Sequence, residues 1–520
     1  MRYLGLLVLA APLLALACRD ELPSLPDAST PPVDAASDVG VDADADAGTD
    51  AAPLPVRTML VGTIVTPDSV IDGEVLVEGD TIVCVGAAAA CDSDPHATGA
   101  TVVQTNGVIA PGLIDTHNHI LFDIFDNDDW LPSTLSTNHD QWTTEPRYGA
   151  MLDVKQCLSN DPQGKPTWCA NTPYGTAQGS LRCEMDKWGE LKALIAGTTS
   201  VVGLPGTSSA CFGSLARSVD VSQNGLGQDK VRTSATFPPS TSTADSVCAN
   251  FANGTVDAFL VHCGEGTDAK SLGEFAKLGS VSTTPNCLYA PQTTITHGVA
   301  FGATEFQTMQ ASGMKLTWSP ASNVTLYGTT TNIPAALDAG VTIALAPDWS
   351  MGGSQNLLDE MRFANTWDDA HFANRLAAKD LVMMTTANAA SVLGLSSRIG
   401  QIKPGYLADL IVVSGATATP YDTILAATPG EMRLVMVGGV ALYGDVDLQG
   451  LAPASPGCEA FVACGKNKFL CVATSATTDK LNQTYAQIQS ALEAGLQAAD
   501  QQTTSDGWNF APLTPLVKCP

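Results

Sequence analysis

The chain has 520 residues, 45% hydrophobic and 15% charged, with a mean hydropathy of +0.10. That length admits more than one domain, and the composition is that of a globular protein rather than a disordered one. Lys and Arg number 25 against 53 Asp and Glu, a net charge of −28, which argues against nucleic acid as a partner because phosphate binding needs clustered cations.

Met1–Ala17 reads as a secretory signal: Arg2, then the apolar stretch Leu4–Leu16, then small residues. The apolar stretch is too short to span a bilayer. Ala15-Leu16-Ala17-Cys18 resembles a bacterial lipobox, with Ala where Leu usually stands three residues before the Cys. The resemblance implies an acylated Cys18, hence an exported protein lipid-anchored in a bacterial envelope, periplasmic or cell-surface. Residues 18–55 are rich in Asp, Ala and Pro and hold few large apolar residues, so a disordered tether is expected there.

Residues 56–110 alternate apolar and polar side chains in short runs (Thr58–Val65, Gly73–Val77, Thr81–Val85), broken by Asp-Gly and Gly-Asp turns. Residues 400–447 return to the same patterning (Ala408–Val413, Leu434–Leu442). The simplest reading joins the two stretches in one composite β-sandwich domain. Between them, in 111–399, strand-like runs occur at Gly112–Thr116, Thr199–Leu204, Ser218–Ser222, Val231–Phe237, Val256–Val261, Thr293–Thr296, Met314–Trp318 and Val341–Ala346. They alternate with helix-like stretches such as Asp268–Leu278, Ala303–Ser312 and Asn332–Ala339. That alternation predicts a parallel sheet with right-handed crossovers, closed as a (β/α)8 TIM-type barrel. A long insertion at about 123–180, holding Trp, Pro and Cys, follows the first strand, where barrel loops shape specificity.

Residues 448–520 read as a Cys-containing, partly helical extension. Leu481, Tyr485, Ile488, Leu492 and Leu496 share one helical face, with Asp479 as the expected cap. Export makes disulfides plausible among the 14 cysteines. Cys84 and Cys91 are close in sequence, and Cys157, Cys169 and Cys183 sit in what reads as one irregular region. Cys458, Cys464, Cys471 and Cys519 gather near the end without a Cys-x-x-Cys pair, which favours disulfides over a zinc site.

Chemistry enters at His117 and His119, directly after the apolar run of residues 107–116. In extended backbone alternate side chains face the same way, so the two imidazoles can meet one metal ion. His262, His297 and Asp348 likewise each close a short apolar, β-branched run. Metal-binding side chains at the ends of parallel strands are the layout of a barrel active site.

The motifs Pro-Gly-Leu-Ile-Asp-Thr-His-Asn-His (111–119), His-Cys-Gly-Glu (262–265), Thr-His-Gly (296–298), Ser-Pro-Ala-Ser-Asn-Val-Thr-Leu (319–326) and Leu-Ala-Pro-Asp-Trp-Ser (345–350) stand in order. With Lys-Pro-Gly-Tyr-Leu-Ala-Asp-Leu-Ile-Val (403–412) they resemble the metal-dependent amidohydrolases, in particular the cytosine deaminase and atrazine/triazine hydrolase branch, over roughly 56–447. The resemblance implies that His117, His119, His262 and Asp348 hold one divalent ion, zinc or iron. It further implies that Glu265 carries a proton from water to the leaving nitrogen and that His297 hydrogen-bonds the attacking oxygen or the developing oxyanion. Asp348 is alternatively a proton relay.

Ser322 and Asn323 are expected to shape the pocket or a turn. His139, in the insertion, reaches either substrate or solvent; His96 and His371 are read as structural. Some branches bridge two metals through a carboxylated Lys on the fourth strand; Val231–Phe237 contains none, and Lys230 falls just before it. The activity implied is hydrolysis of a non-peptide C–N bond in a small molecule, deaminase-like. The alternatives are a binuclear amidohydrolase acting on cyclic amides or peptides, and a non-catalytic surface binding protein on the same fold.

Overall fold

The computed structural model describes residues 56–203, 211, 215–222, 225–235, 237–454, 457–473, 482–503 and 507–519. The expected signal, Cys18 and the tether lie outside the described residues. The ordered part opens with β1 (Arg57–Val65), β2 (Val70–Glu78), β3 (Thr81–Ala87) and β4 (Thr101–Pro111). The β2–β3 turn passes through Gly79 at φ 59°, a left-handed conformation that glycine adopts without steric cost.

Two parallel sheets follow. β5 (Leu113–Asp115), β6 (Thr198–Val201) and β7 (Arg217–Ser218) form one; β8 (Val231–Ser234), β9 (Ala258–Cys263), β10 (Thr293–His297), β11 (Lys315–Trp318) and β12 (Ile343–Leu345) form the other. Each strand pairs with its sequence neighbour. Helices Thr241–Asn253, Ala269–Ser280, Ala303–Ala311 and Ile333–Ala339 lie between the later strands. β6, β9 and β10 are buried along their whole length, as strands covered on both faces must be; β9 accordingly reads as an apolar run up to His262, whereas β6 and β10 are rich in Thr. A parallel bridge between Asn118 and Asp348 brings the chain leaving β5 to the chain leaving β12. The architecture is mixed α/β.

The chain then returns with β13 (Leu410–Val413), β14 (Met432–Val437), β15 (Val440–Asp445), β16 (Glu459–Ala463) and β17 (Lys466–Leu470). With β1–β4 they make one nine-stranded sheet in the order β16-β17-β15-β14-β13-β4-β1-β2-β3. The two distant stretches meet where β13 pairs antiparallel with β4, and the C-terminal extension adds β16 and β17 at the edge. Arg217 on β7 ties this sheet to the parallel strands through a two-pronged bond to Asp409, at 2.8 and 2.9 Å.

Several sequence expectations change. The apolar run 107–116 is divided: its first half lies in β4 and only Leu113–Asp115 forms the first parallel strand. Both halves are buried, so hydrophobicity carries no mark of the division. Gly112 sits at the crossing, where a Cβ would meet Thr199 Oγ1 at 2.2 Å. Leu434–Leu442 is two strands about a turn at Gly438 and Gly439, both at positive φ. The third parallel strand is Arg217–Ser218 rather than Ser218–Ser222.

Helices α1 (His139–Trp142) and α2 (Pro146–Leu158) occupy the insertion, and α3 (Arg182–Leu194) follows it. Cys157 and Cys183 are therefore helical, not in an irregular region. The C-terminal helix, Tyr485–Gln502, is capped by Thr484 in a capping box with Gln487, whereas the expected cap Asp479 and the first stripe residue Leu481 lie outside the described residues. Six disulfides join Cys84–Cys91, Cys157–Cys169, Cys183–Cys211, Cys248–Cys287, Cys458–Cys471 and Cys464–Cys519, and Cys263 is a buried free thiol.

Candidate active site

Strand ends gather the chemistry. His117 and His119 leave β5 on either side of Asn118, and their backbone is tied to Asp348: His119 N donates to Asp348 O at 2.7 Å and Asp348 N to His117 O at 3.2 Å. Asp115 steadies this turn, accepting from His117 N at 3.0 Å and Asn118 Nδ2 at 3.1 Å. His262 lies in β9, and His297 closes β10. The ring of His117 is 5.0 Å from that of His119, 4.6 Å from His262 and 5.4 Å from His297. His297 and Asp348 hold φ of 74° and 72°, a strained region for residues with a Cβ that persists where surrounding structure enforces it, often at functional sites.

One ligand atom each from His117, His119 and His262 lies within 4.8 Å of the others, and the same holds for His117, His297 and Asp348. His117 Nε2 is 2.9 Å and His119 Nε2 3.5 Å from Asp348 Oδ1. His262 Nδ1 lies 3.1 Å from Ser234 O; a carbonyl only accepts, so Nδ1 carries the proton and Nε2 keeps its lone pair. Burial, with the neighbouring His297, pulls His262 down to about 4, so it is neutral at pH 7. Burial opposes the Asp348 charge, but His117 and His297 outweigh it and hold the carboxyl well below its usual range. Neutral imidazoles around one carboxylate fit a zinc or iron ion.

His297 has a different part. Trp318 Nε1 donates to Thr330 Oγ1 at 2.7 Å, and Thr330 Oγ1 donates to Asn323 Oδ1 at 3.3 Å. Asn323 therefore presents its Nδ2 to His297 Nδ1, at 3.1 Å. Nδ1 accepts, so the His297 proton resides on Nε2. His297 is thus a donor aimed into the site rather than a ligand, and Asn323, expected only to shape the pocket, sets its tautomer. Ser322 caps locally, donating to Ser319 O at 3.3 Å.

Glu265 is 5% exposed, with Oε2 4.0 Å from His297 Nε2. Burial opposes its charge, but His297 and His139 overcome that penalty and keep it ionised. His139 reaches this carboxylate, its Nδ1 3.5 Å from Glu265 Oε2. Lys230 pairs with Asp257 at 3.4 Å, His96 with Asp94 at 2.7 Å, and His371 stacks on Trp367 at 3.8 Å. Two residues escaped sequence reasoning. Tyr327 donates to Glu265 Oε1 at 2.7 Å, and Trp349 lies 5.2 Å from the His119 ring. Trp349 follows Asp348 directly, which was the available signal; Tyr327 carried none.

Residues 256–442 match the Amidohydrolase family. A 5-methylthioadenosine/S-adenosylhomocysteine deaminase from Natronomonas pharaonis is 28% identical over 429 residues, covering 75% of this chain and 93% of that one. The structure of an adenosine deaminase from Xanthomonas campestris with bound zinc superposes with a TM-score of 0.55 at 15% identity, over 87% of this chain and 100% of that one. An atrazine chlorohydrolase from Arthrobacter aurescens complexed with zinc gives a TM-score of 0.54 at 17% identity, over 74% and 95%. At these identities the two structures speak to the fold alone.

Proposed function

We infer that this chain, which belongs to the amidohydrolase superfamily, is a metal-dependent hydrolase of a non-peptide C–N bond that acts as a deaminase on a small amino-substituted heterocycle. The observation that carries this reading is the meeting of His117, His119, His262 and Asp348 beside a buried, ionised Glu265 and a donor His297. The eight parallel strands in consecutive order, with the Asn118–Asp348 bridge between first and last, support a (β/α)8 barrel. The nine-stranded sheet built from both flanking stretches supports a composite β-domain that carries it, as one sheet rather than two packed ones.

His117, His119, His262 and Asp348 would hold one zinc or iron ion, which when bound supplies Lewis acidity that makes water acidic enough to attack near neutral pH. Glu265 accepts a proton from that water and returns it to the departing nitrogen, as a carboxylate within reach of both can do. His297 donates from Nε2 to the oxygen that attacks and becomes negative. Trp349 offers an aromatic face beside His119, and the purine deaminases among the relatives suggest what kind of ring lies on it. The six disulfides accord with an oxidising compartment and so with export through the signal and acylated Cys18.

The test is ammonia release by the zinc-loaded protein from 5-methylthioadenosine, S-adenosylhomocysteine, adenosine and guanine. Release that disappears in Glu265→Gln supports the reading; no release from any of these by a protein holding its metal overturns the deaminase assignment.

A further inference from the structure

Glu265 is held by residues that the proposed reaction does not otherwise use. Tyr327 donates its hydroxyl to Oε1 at 2.7 Å, and Trp142 Nε1 donates to that same hydroxyl oxygen at 2.9 Å. On the other side, His139 Nδ1 lies 3.5 Å from Oε2, while its Nε2 lies 3.7 Å from Glu274 Oε1. His139 and Trp142 are the first and last residues of α1, three apart and so on one helical face. Both belong to the long insertion.

The loop that follows Glu265 is shaped to receive this segment. Asn138 and Gly266 form an antiparallel bridge, Thr267 N donates to Thr137 O at 2.7 Å, and Asn138 Nδ2 donates to Asp268 Oδ2 at 2.6 Å. Gly266 has φ 143°, and a Cβ there would stand 2.4 Å from Thr137 O. Only glycine permits that approach.

A glutamate has three rotatable side-chain bonds, and a proton carrier must face both its donor and its acceptor. Hydrogen bonds from ionised or polar partners to a buried carboxylate are the strong, direction-setting kind. Here one oxygen is bound by a phenol that is itself held, and the other is met by an imidazole. We propose that Tyr327, braced by Trp142, and His139 are positioning residues for Glu265, so that the insertion is part of the acid–base apparatus. This rests on Glu265 being the proton carrier. The Tyr327 phenol, driven well above its usual range by burial and by the Glu265 charge, stays protonated and able to donate.

The test compares the full-length parent with Tyr327→Phe, Trp142→Phe and His139→Asn, using 5-methylthioadenosine as the probe and crystal structures of parent and variants. In Tyr327→Phe, kcat falls about 10- to 100-fold, the loss of a hydrogen bond to a charged group. KM and zinc content stay the same, the acid limb of the pH profile moves to higher pH, and the Glu265 carboxylate turns away from its parent position. Trp142→Phe and His139→Asn shift the same quantities in the same direction by less. Unchanged kcat and acid limb, or loss of zinc in step with activity, overturns the proposal, as does a carboxylate that stays in place in Tyr327→Phe. If the parent releases no ammonia, the deaminase reading falls, and the Glu265 position in the crystals still decides the positioning claim.

Discussion

His117 Nε2 and Asp348 Oδ1 stand 2.9 Å apart across 231 residues of sequence. The same two residues are also joined through their backbones, so the first and last parallel strands are fastened at two of the proposed metal ligands. Substituting His117→Ala removes a proposed ligand and exposes the buried Asp348 charge to a cavity. Metal per chain, measured by plasma mass spectrometry, should fall from about one equivalent to under about a tenth, in line with the ligand count that zinc sites need. A full equivalent retained by His117→Ala would place the metal elsewhere.

Lys192, on α3, is 1% exposed. Its ammonium donates to Ser350 Oγ at 3.0 Å and Gln355 Oε1 at 3.4 Å. Burial pulls its pKa down, opposed by the charges of Asp123 and Asp126. Asp123 in turn accepts from Ser350 N at 2.9 Å, just past Asp348. Lys192→Met removes the ammonium that Ser350 and Gln355 accept from and one of the positive charges near Asp123 and Asp126, the latter keeping Lys518 at 2.7 Å, and should cost about 1–3 kcal/mol in urea unfolding. A cost below about 1 kcal/mol would mean that the lysine contributes packing alone.

Glu360 is fully buried and accepts from Ala321 N at 3.0 Å. Burial pushes its carboxyl from 4.5 up to about 8, against the pull of Ser354 and Ala321. A raised acid pKa means that the folded state holds a proton the unfolded state has released. Its stabilising contribution is therefore complete below about pH 4.5 and is lost as pH climbs through about 8. Relative to Glu360→Gln, the parent's urea midpoint should decline between pH 5 and pH 8. Parallel midpoints in that window would mean that the carboxyl is ionised throughout.

With six disulfides in place, Cys263 is the free thiol among the described cysteines. In a Cys18→Ser variant kept from reductants, a thiol reagent should find nothing reactive in the folded protein and one thiol per chain once it is unfolded. Burial excludes the reagent and raises the Cys263 pKa, and both slow thiolate chemistry. More than one thiol on unfolding would show a bridge missing.

The candidate site residues stood out because each lies at or just past the end of a buried strand, where an ionisable side chain follows a short run of apolar or β-branched residues. His262 and His297 stand out for that reason, as does Asp348. The same rule hid the border between β4 and β5, since strands buried in two different sheets look alike when they adjoin at Gly112. It also merged β14 with β15, whose Gly438-Gly439 turn lies inside a pattern that remained apolar.

Local periodicity and residue chemistry thus determined the strand order, the His and Asp set and the family resemblance, because each is a short-range property of the chain. Only the tertiary structure decided which polar groups meet. Trp142 reaches Tyr327 across 185 residues and Tyr327 reaches Glu265 across 62, and neither pairing leaves a periodic trace. Such contacts arise from how an insertion lies against a strand end, and from a close approach that Gly266 alone allows. The direction of the His297 proton is of the same kind: it is set by Asn323, Thr330 and Trp318 in sequence of hydrogen bonds, and those exist only once the strands have packed.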